Sequence, residues 1–337
     1  LAVGLATLLM LADPTLLRTL RHAQWDQYQR LQPRVHQDTA VRIIDIDEAS
    51  LARLGQWPWP RSRIAELVRR MQEAEAAAIG FDAVFAEPDR TSPRAVSQDW
   101  PLPPETRRQI ERLPDNDGLL AAQMAAGGVV LGLSLERQGR GELPPGLTLP
   151  HPVVMGDNPL PHLHRFGSVV PPLPQLGAAA SAVGALTFVP DDDGVVRRVP
   201  LMLRVGEQVV PTLVTELLRV GQGAGNYLIR MAPAANPGIE EVRVGAVVVP
   251  TTRHGEAWVH YAPPNRQRII PAWKLLAGEV PAAELQGRIL LVGSSAQGLM
   301  DLRFSPLGGV VPGVEAHAQL LEQALTDDFL QRPGWAL

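Results

Sequence analysis

The stretch from Val41 to Phe85, VRIIDIDEASLARLGQWPWPRSRIAELVRRMQEAEAAAIGFDAVF, predicts a strand, a helix and a second strand. The first strand is the short apolar run over residues 41–46, which is typical of a buried strand. The helix spans about residues 62–78, because apolar side chains recur there at helical spacing: Ile64, Leu67, Val68 and Met71. The second strand covers residues 79–85. A strand, a crossover helix and a strand predict a right-handed parallel unit, around which the rest of the chain is organised.

The rest of the chain predicts an α/β fold, with a mixed sheet around this parallel core. An amphipathic N-terminal helix is predicted after Asp13-Pro14, a typical helix start. Residues 86–114 are so rich in proline that we expect neither helix nor central strand there, and residues 137–176 predict a second long loop. Helices are predicted near residues 116–126, 211–220, 272–277 and from Pro312 onward, and strands near residues 128–135, 184–189, 195–203, 242–249, 257–261 and 288–292.

Length and composition limit the possible functions. The chain has 337 residues, enough for one large domain or two of ordinary size. Its net charge of −4 argues against a nucleic-acid partner, which needs a basic face. Cysteine is absent, so there is no disulfide framework, thiolate metal site or cysteine nucleophile.

Polar residues follow the predicted buried strands. Asp45 and Asp47 end the first strand, Asp82 lies in the second, and Ser294-Ser295 follow the apolar strand at residues 288–292. We expect them at one edge of the sheet, because ligands bind beyond the carboxyl ends of parallel strands. One interpretation is a polar pocket in which the three aspartates bind Mg²⁺ or Ca²⁺. The other is a buried ion-pair network, with Asp45 or Asp82 holding Arg61 and the others capping helices.

Two aromatic residues precede Arg61 in a proline-stiffened loop. Trp57 and Trp59 are candidates to stack on a ligand or a cation. They are equally candidates to close one end of the hydrophobic core, and we favour this second interpretation.

The glycine-serine turn at residues 293–298 has the glycine spacing of a phosphate loop but not its chemistry. Leu299-Met300 stand where a phosphate loop needs Lys followed by Ser or Thr, and the nucleophile-elbow motif is absent. A tight turn is therefore favoured over an anion site. Asp301, Arg303 and His317 are candidates to approach it, but their spacing does not support a Ser-His-Asp triad.

The segment Pro190-Asp191-Asp192-Asp193-Gly194 predicts a hairpin turn between two apolar strands. Its aspartates are consecutive, whereas calcium loops alternate their carboxylates, so a turn is favoured over a calcium site.

Four ordered motifs resemble one known family. The first stretch contains D-I-D-x-x-S, then L-x-x-L-G-Q-W-P-W-P-R, then G-F-D-x-x-F. Three later segments fit as well: residues 190–201, residues 291–296 with Asp301 and Pro306, and residues 312–318. Over roughly residues 23–333 the chain resembles the second type of CHASE domain, the cyclases/histidine kinases associated sensory extracellular domains.

This resemblance implies a ligand-sensing module outside the cell membrane, joined to a cytoplasmic signalling enzyme. The expected output domain is an adenylate or guanylate cyclase, or next a histidine kinase, and a homodimer is expected. Residues 1–12 are apolar and uncharged, and we expect them to be the outer end of a membrane helix; the alternative is a signal-peptide core or a buried helix. We expect residues 13–36 to be a membrane-proximal helix and linker, 37–333 the sensory domain, and 334–337 the start of another membrane segment. The domain would then lie on the periplasmic side of a bacterial inner membrane and bind an unknown small molecule.

Two other hypotheses remain open from the sequence. The chain could be a free-standing periplasmic hydrolase that uses a metal ion held by Asp45, Asp47 and Asp82. It could also be a scaffold whose loop at residues 86–114 binds a partner protein.

Overall fold

The computed structural model describes residues 15–38, 40–147, 149–299 and 302–330. Predictions for residues 1–12, Asp13-Pro14, Asp301 and residues 334–337 lie outside these ranges. Within them, no helix has both the length and the apolar composition needed to cross a membrane.

Helices and strands are distributed along the whole described chain, often in runs of one type. The helices are α1 (Thr15–Leu31), α2 (Glu48–Leu54), α3 (Arg61–Glu73), α4 (Pro93–Asp99), α5 (Pro104–Ile110), α6 (Asn116–Met124), α7 (Pro174–Ala179), α8 (Leu213–Gly221), α9 (Ala272–Ala277) and α10 (Gly313–Thr326). The strands are β1 (Val41–Asp45), β2 (Ala78–Phe81), β3 (Val129–Glu136), β4 (Val153–Met155), β5 (Arg165–Phe166), β6 (Ser168–Val170), β7 (Ala182–Ala185), β8 (Arg198–Pro200), β9 (Met202–Val205), β10 (Gln208–Pro211), β11 (Tyr227–Met231), β12 (Ile239–Val244), β13 (Val247–Pro250), β14 (Glu256–Trp258), β15 (Ile269–Pro271), β16 (Ile289–Gly293), β17 (Leu302–Phe304) and β18 (Val310–Pro312).

The main sheet has seven strands in the order β15-β1-β16-β2-β3-β6, with β7 pairing with β3 beside this path. Its pairs are parallel except β3–β6, which is antiparallel. The predicted mixed α/β class is therefore confirmed. β16 lies between β1 and β2, so the first predicted unit and the late apolar strand share one sheet.

Four smaller sheets extend the fold: β10-β9-β5, β13-β12-β11-β4, β14-β8 and β17-β18. The last is a hairpin whose Phe304 also bridges to Val195.

Helices cover both faces of the main sheet. On one face, apolar side chains of α3, α6, α7 and α9 pack on even-numbered residues of β1, such as Ile44. On the other face, α8 and α10 pack on odd-numbered residues, such as Ile43. This alternation follows from the period of two in a strand, and it buries the sheet on both sides.

Two glycines let helices approach the second face closely. A Cβ at Gly80 of β2 would lie 2.6 Å from Leu217 of α8, and one at Gly293 of β16 would lie 2.5 Å from Val314 of α10. A larger residue at either position would push its helix away from the sheet.

The prediction for residues 86–114 was wrong, because α4 and α5 lie within that stretch. Each helix begins with a proline, Pro93 and Pro104, in the first helical turn. There the fixed φ of proline suits a helix and its missing N–H has no helical partner to lose.

The hairpin prediction around residues 190–194 was also wrong in its strands. β7 pairs with β3 in the main sheet, whereas β8 pairs with β14. The turn itself is present: the Gly194 N–H donates to the carbonyl of Asp191 at 2.8 Å, and Gly194 has a φ of 79°. The turn therefore joins two sheets.

Candidate functional site

The carboxyl edge of the main sheet holds the residues that the sequence singled out, but the structure divides them among three places. Asp45 accepts hydrogen bonds from the Ser295 N–H at 2.8 Å and the Ser295 hydroxyl at 2.6 Å. The Ser294 hydroxyl donates to the carbonyl of Ile46 at 2.8 Å. Burial raises the pKa of Asp45, and the bonds from Ser295 partly oppose that rise. These bonds fix the end of β16 against β1.

Asp47 caps a helix. Its side chain accepts the Ser50 N–H at 2.7 Å at the start of α2, which is the usual role of an aspartate at this position.

Arg61 belongs to a second place, and the predicted pairing with Asp45 or Asp82 was wrong. Its side chain pairs with Asp117 of α6 at 3.5 Å, and its backbone N–H donates to Asp89 at 2.7 Å. Its guanidinium also lies 4.4 Å from the centre of the Phe85 ring. Asp89 lies in the loop after β2 and Asp117 in the predicted helix α6, but the sequence pattern does not indicate that this helix faces Arg61.

The two tryptophans lie beside Arg61. Trp59 is 1 % exposed within the hydrophobic core, and its indole N–H donates to the carbonyl of Gly55 at 2.8 Å. Trp57 is partly buried and meets Trp59 edge-on, with 5.8 Å between ring centres. A cavity of about 310 Å³ adjoins Trp59, Arg61 and Asp89. This packing agrees with the interpretation that the tryptophans close the core.

The third place is a larger cavity beside Asp82. It has a volume of about 630 Å³, within the range typical of small-molecule sites. Its polar lining comes from Asp82, Ser134, Thr187 and Arg303. The rest of its lining is largely apolar: Val84, Leu135, Leu186, Phe188, Pro190, Gly194, Leu302 and Phe304.

His317 of α10 lies behind this cavity. Its Nε2 is 3.7 Å from the Asp82 carboxylate, and its ring stacks on Phe188 with 4.4 Å between centres. The residue is 1 % exposed, and neither ring nitrogen has a hydrogen-bond partner. Burial, aided by the charge of Arg303, lowers the pKa of His317 to about 3, so the imidazole is neutral at physiological pH.

The geometry therefore offers an open cavity with charged groups of both signs, an apolar wall and a buried neutral imidazole. It does not offer a hydrolytic triad, because Ser295 bonds to Asp45 while His317 lies against Asp82.

A family model for the CHASE2 domain matches residues 2–337. The chain belongs to the CHASE2 family. CHASE2 domains are extracellular sensor domains, which does not favour the hydrolase hypothesis. Neither the curated proteins nor the solved structures contain a significant match to this CHASE2 domain.

Among the described residues of this CHASE2 domain, the side chains that lie close enough together to hold a metal ion are not the three predicted aspartates. The group that brings three ligand atoms within 4.8 Å of one another is His22, Asp191 and Asp193. Binding of Mg²⁺ or Ca²⁺ by Asp45, Asp47 and Asp82 stays a prediction, and it would require Asp45 and Asp47 to share or leave their present hydrogen bonds.

The cluster around the aspartate turn is built on one arginine. Arg197 is 2 % exposed and binds Asp26 of α1 at 2.7 Å, Asp191 at 2.8 Å and Asp193 at 2.7 Å. Burial alone would lower the pKa of Arg197, but its hydrogen bonds to these carboxylates raise it. Asp191 and Asp193 thus hold a structural arginine, and through it the helix α1.

Asp82 was predicted from the sequence, but most of the cavity wall was not. Ser134 and Thr187 carry no motif, and their approach to Asp82 depends on β3 pairing with β2 and β7 pairing with β3. The available signal was the sheet-edge rule alone, because Asp82 directly follows β2.

Proposed function

We propose that this CHASE2 domain senses a small molecule bound in the cavity beside Asp82. The observation that carries the proposal is the cavity itself: about 630 Å³ at the carboxyl end of β2, with Asp82 and Arg303 in an otherwise mostly apolar wall. A few polar groups in a mostly apolar concavity are typical of ligand sites.

A path of direct contacts leads from this cavity to α1. Phe304 and Gly194 line the cavity, and the Val196 N–H donates to the carbonyl of Phe304 at 2.9 Å. The next residue, Arg197, pairs with Asp26 of α1. A ligand that favours one arrangement of this wall would therefore also bias the position of α1.

We propose that α1 carries the signal toward a membrane segment that precedes it. The domain would face the periplasm of a bacterial inner membrane and act as a homodimer. Its output domain would be an adenylate or guanylate cyclase, with a histidine kinase as the second candidate. The resemblance to CHASE2 sensors supports this part of the proposal.

The test is a ligand screen of the 337-residue chain by thermal shift, because a ligand that binds only the folded state raises the apparent melting temperature. Any compound that stabilises the wild type is then tested on Ser134→Phe, which fills the cavity. Ser62→Phe is the matched control, since it makes the same change at an exposed position on α3.

We expect the shift to persist in Ser62→Phe and to vanish in Ser134→Phe. A screen in which every stabilising compound acts equally on Ser134→Phe would show that the cavity is not the sensing site. The screen should include Mg²⁺ and Ca²⁺, with Asp45→Asn and Asp47→Asn as the variants that test the predicted metal site.

A further inference from the structure

The cavity beside Asp82 contains charges of both signs. The Asp82 side chain is only 6 % exposed, so its carboxylate lies at the inner part of the cavity. Arg303 is partly exposed and lies in β17, over the Phe188 ring at 5.3 Å. A ligand in this space therefore meets a carboxylate and a guanidinium from different elements of the fold.

His317 adds no charge to this arrangement. Its ring is buried against Asp82 and Phe188, and both nitrogens lack hydrogen-bond partners. A neutral imidazole cannot neutralise a carboxylate, whereas it can exchange a hydrogen bond with a polar group that approaches Asp82. An unsatisfied polar group at this depth is costly unless something occupies the site.

The wall between the two charges is apolar and partly open to water. Leu302 and Phe304 on β17 are 48 % and 57 % exposed, although they line the cavity. Covering apolar surface of this kind stabilises a complex by roughly 25 cal/mol per Å². The apolar body of a ligand would supply that cover.

We propose that the cavity takes a zwitterion with an apolar body, whose ammonium binds Asp82 and whose carboxylate binds Arg303. Free hydrophobic amino acids and short peptides share this chemistry. The Arg303 fork suits a carboxylate, and an ammonium suits the more buried Asp82 because charge-assisted hydrogen bonds are strong there. This proposal rests on the proposed function, since it names the class of ligand for the same site.

Three probes with one apolar body separate the two charges. L-Phenylalanine has both, 2-phenylethylamine lacks the carboxylate and 3-phenylpropanoate lacks the ammonium. The dipeptide leucyl-phenylalanine separates free amino acids from peptides. Dissociation constants are measured by calorimetry on the 337-residue chain, with Ser134→Phe reporting whether each probe uses the cavity.

We expect a zwitterion, either the amino acid or the dipeptide, to bind at least tenfold more tightly than both single-charge analogues. Asp82→Asn should abolish the preference over 3-phenylpropanoate, and Arg303→Gln should abolish the preference over 2-phenylethylamine. Each preference is the ratio of two dissociation constants measured on the same variant, so a loss of stability alone cannot abolish the preference. Glu207→Gln, on an exposed carboxylate outside the cavity, should leave both ratios unchanged.

The inference is overturned if a single-charge analogue binds as tightly as the zwitterions, or if the compounds that bind in the cavity are all of another class. In both cases the cavity still binds a ligand and the proposed function stands. If instead no compound shows binding that Ser134→Phe abolishes, the proposed function itself fails.

Discussion

Arg197 is a buried residue that attaches α1 to the domain. Its side chain is 1 % exposed, and two of its partners, Asp26 and Asp191, are 12 % and 3 % exposed. Removing one member of a buried ion pair leaves the others uncompensated. Asp191 and Asp193 of the turn at 190–194 are therefore explained by one buried cation, whereas Asp192 forms an exposed pair with Arg18.

Replacing Arg197 by Met should lower the free energy of unfolding by about 3–5 kcal/mol, because Asp26 loses its buried partner and Asp191 keeps only Arg198. Urea denaturation measures this change. Arg18→Met is the control: the Arg18–Asp192 pair is 41 % and 75 % exposed, so its loss should cost less than ~1 kcal/mol. Equal losses in the two variants would contradict the importance of the buried cluster.

His317 should make stability depend on pH. The pKa of His317 is about 3 in the folded protein, whereas the ordinary value for a histidine in an unfolded chain is 6.5. Between these two pKa values the unfolded state binds a proton and the folded state does not. The contribution of His317 to the free energy of unfolding is therefore largest above pH 6.5 and falls as the pH decreases toward 3. Among the residues that the structure describes, Asp82 and Arg303 are charged groups close to the ring, and the variant proposed next keeps both.

His317→Leu should remove this dependence. Between pH 6.5 and about 5, we expect the wild type to lose up to ~2 kcal/mol more than the variant, because one proton per molecule is linked to unfolding. Urea denaturation at several pH values gives the two slopes. His151→Leu changes an exposed histidine and should keep the wild-type slope; an unchanged slope in His317→Leu would mean that the ring is not held neutral.

At the scale of elements, α1 is held by several contacts besides Arg197. Gln29 donates to the carbonyl of Val259 at 2.7 Å and accepts the Tyr261 N–H at 3.0 Å. Trp25 packs on Trp258 with 4.6 Å between ring centres. The apolar pattern of the sequence does not explain this packing, because Leu20, Tyr28 and Leu31 are exposed, whereas the polar residues Asp26 and Gln29 are buried against the domain.

Weakening the contact between Asp26 and Arg197 should make local opening of α1 easier without affecting the rest of the domain. In Asp26→Asn, hydrogen exchange of the amides of residues 15–31 should accelerate at least about tenfold, because local opening of α1 becomes easier. Amides of β1 and β16 should keep their protection. Asp192→Asn is the control, since it removes only the exposed pair with Arg18 of α1 and should change the exchange far less. Faster exchange throughout the sheet would indicate that α1 is part of the global folding unit instead.

The helices α4 and α5 show where local sequence signals mislead. The density of proline predicts irregular structure at residues 86–114, yet Pro93 and Pro104 begin helices. By contrast, the predicted helix at residues 272–277 has the same bounds as α9. The first outcome follows from the position of the proline, because proline disrupts the interior of a helix and suits its first turn.

For the whole molecule, the sequence was most informative where contacts follow the periodicity of single elements. The central strands β1, β2 and β16 were predicted from their apolar runs, and these three strands lie in one sheet. The candidate site was only partly predictable, since Asp82, Thr187 and Arg303 lie far apart in the chain and meet through strand order. The pairing of Arg61 with Asp117 depends on loop structure in the same way.

The side of the membrane on which the domain lies can be tested by labelling a single introduced cysteine, because the chain contains no cysteine of its own. We expect Glu207→Cys, whose parent side chain is 78 % exposed, to react with a membrane-impermeant maleimide when only the outer membrane is opened. Ala78→Cys, at a fully buried position of β2, should react only after denaturation. The full-length protein without an added cysteine gives the background. Labelling of Glu207→Cys only after the inner membrane is broken would place the domain in the cytoplasm, where a cavity of this kind could not report on the periplasm.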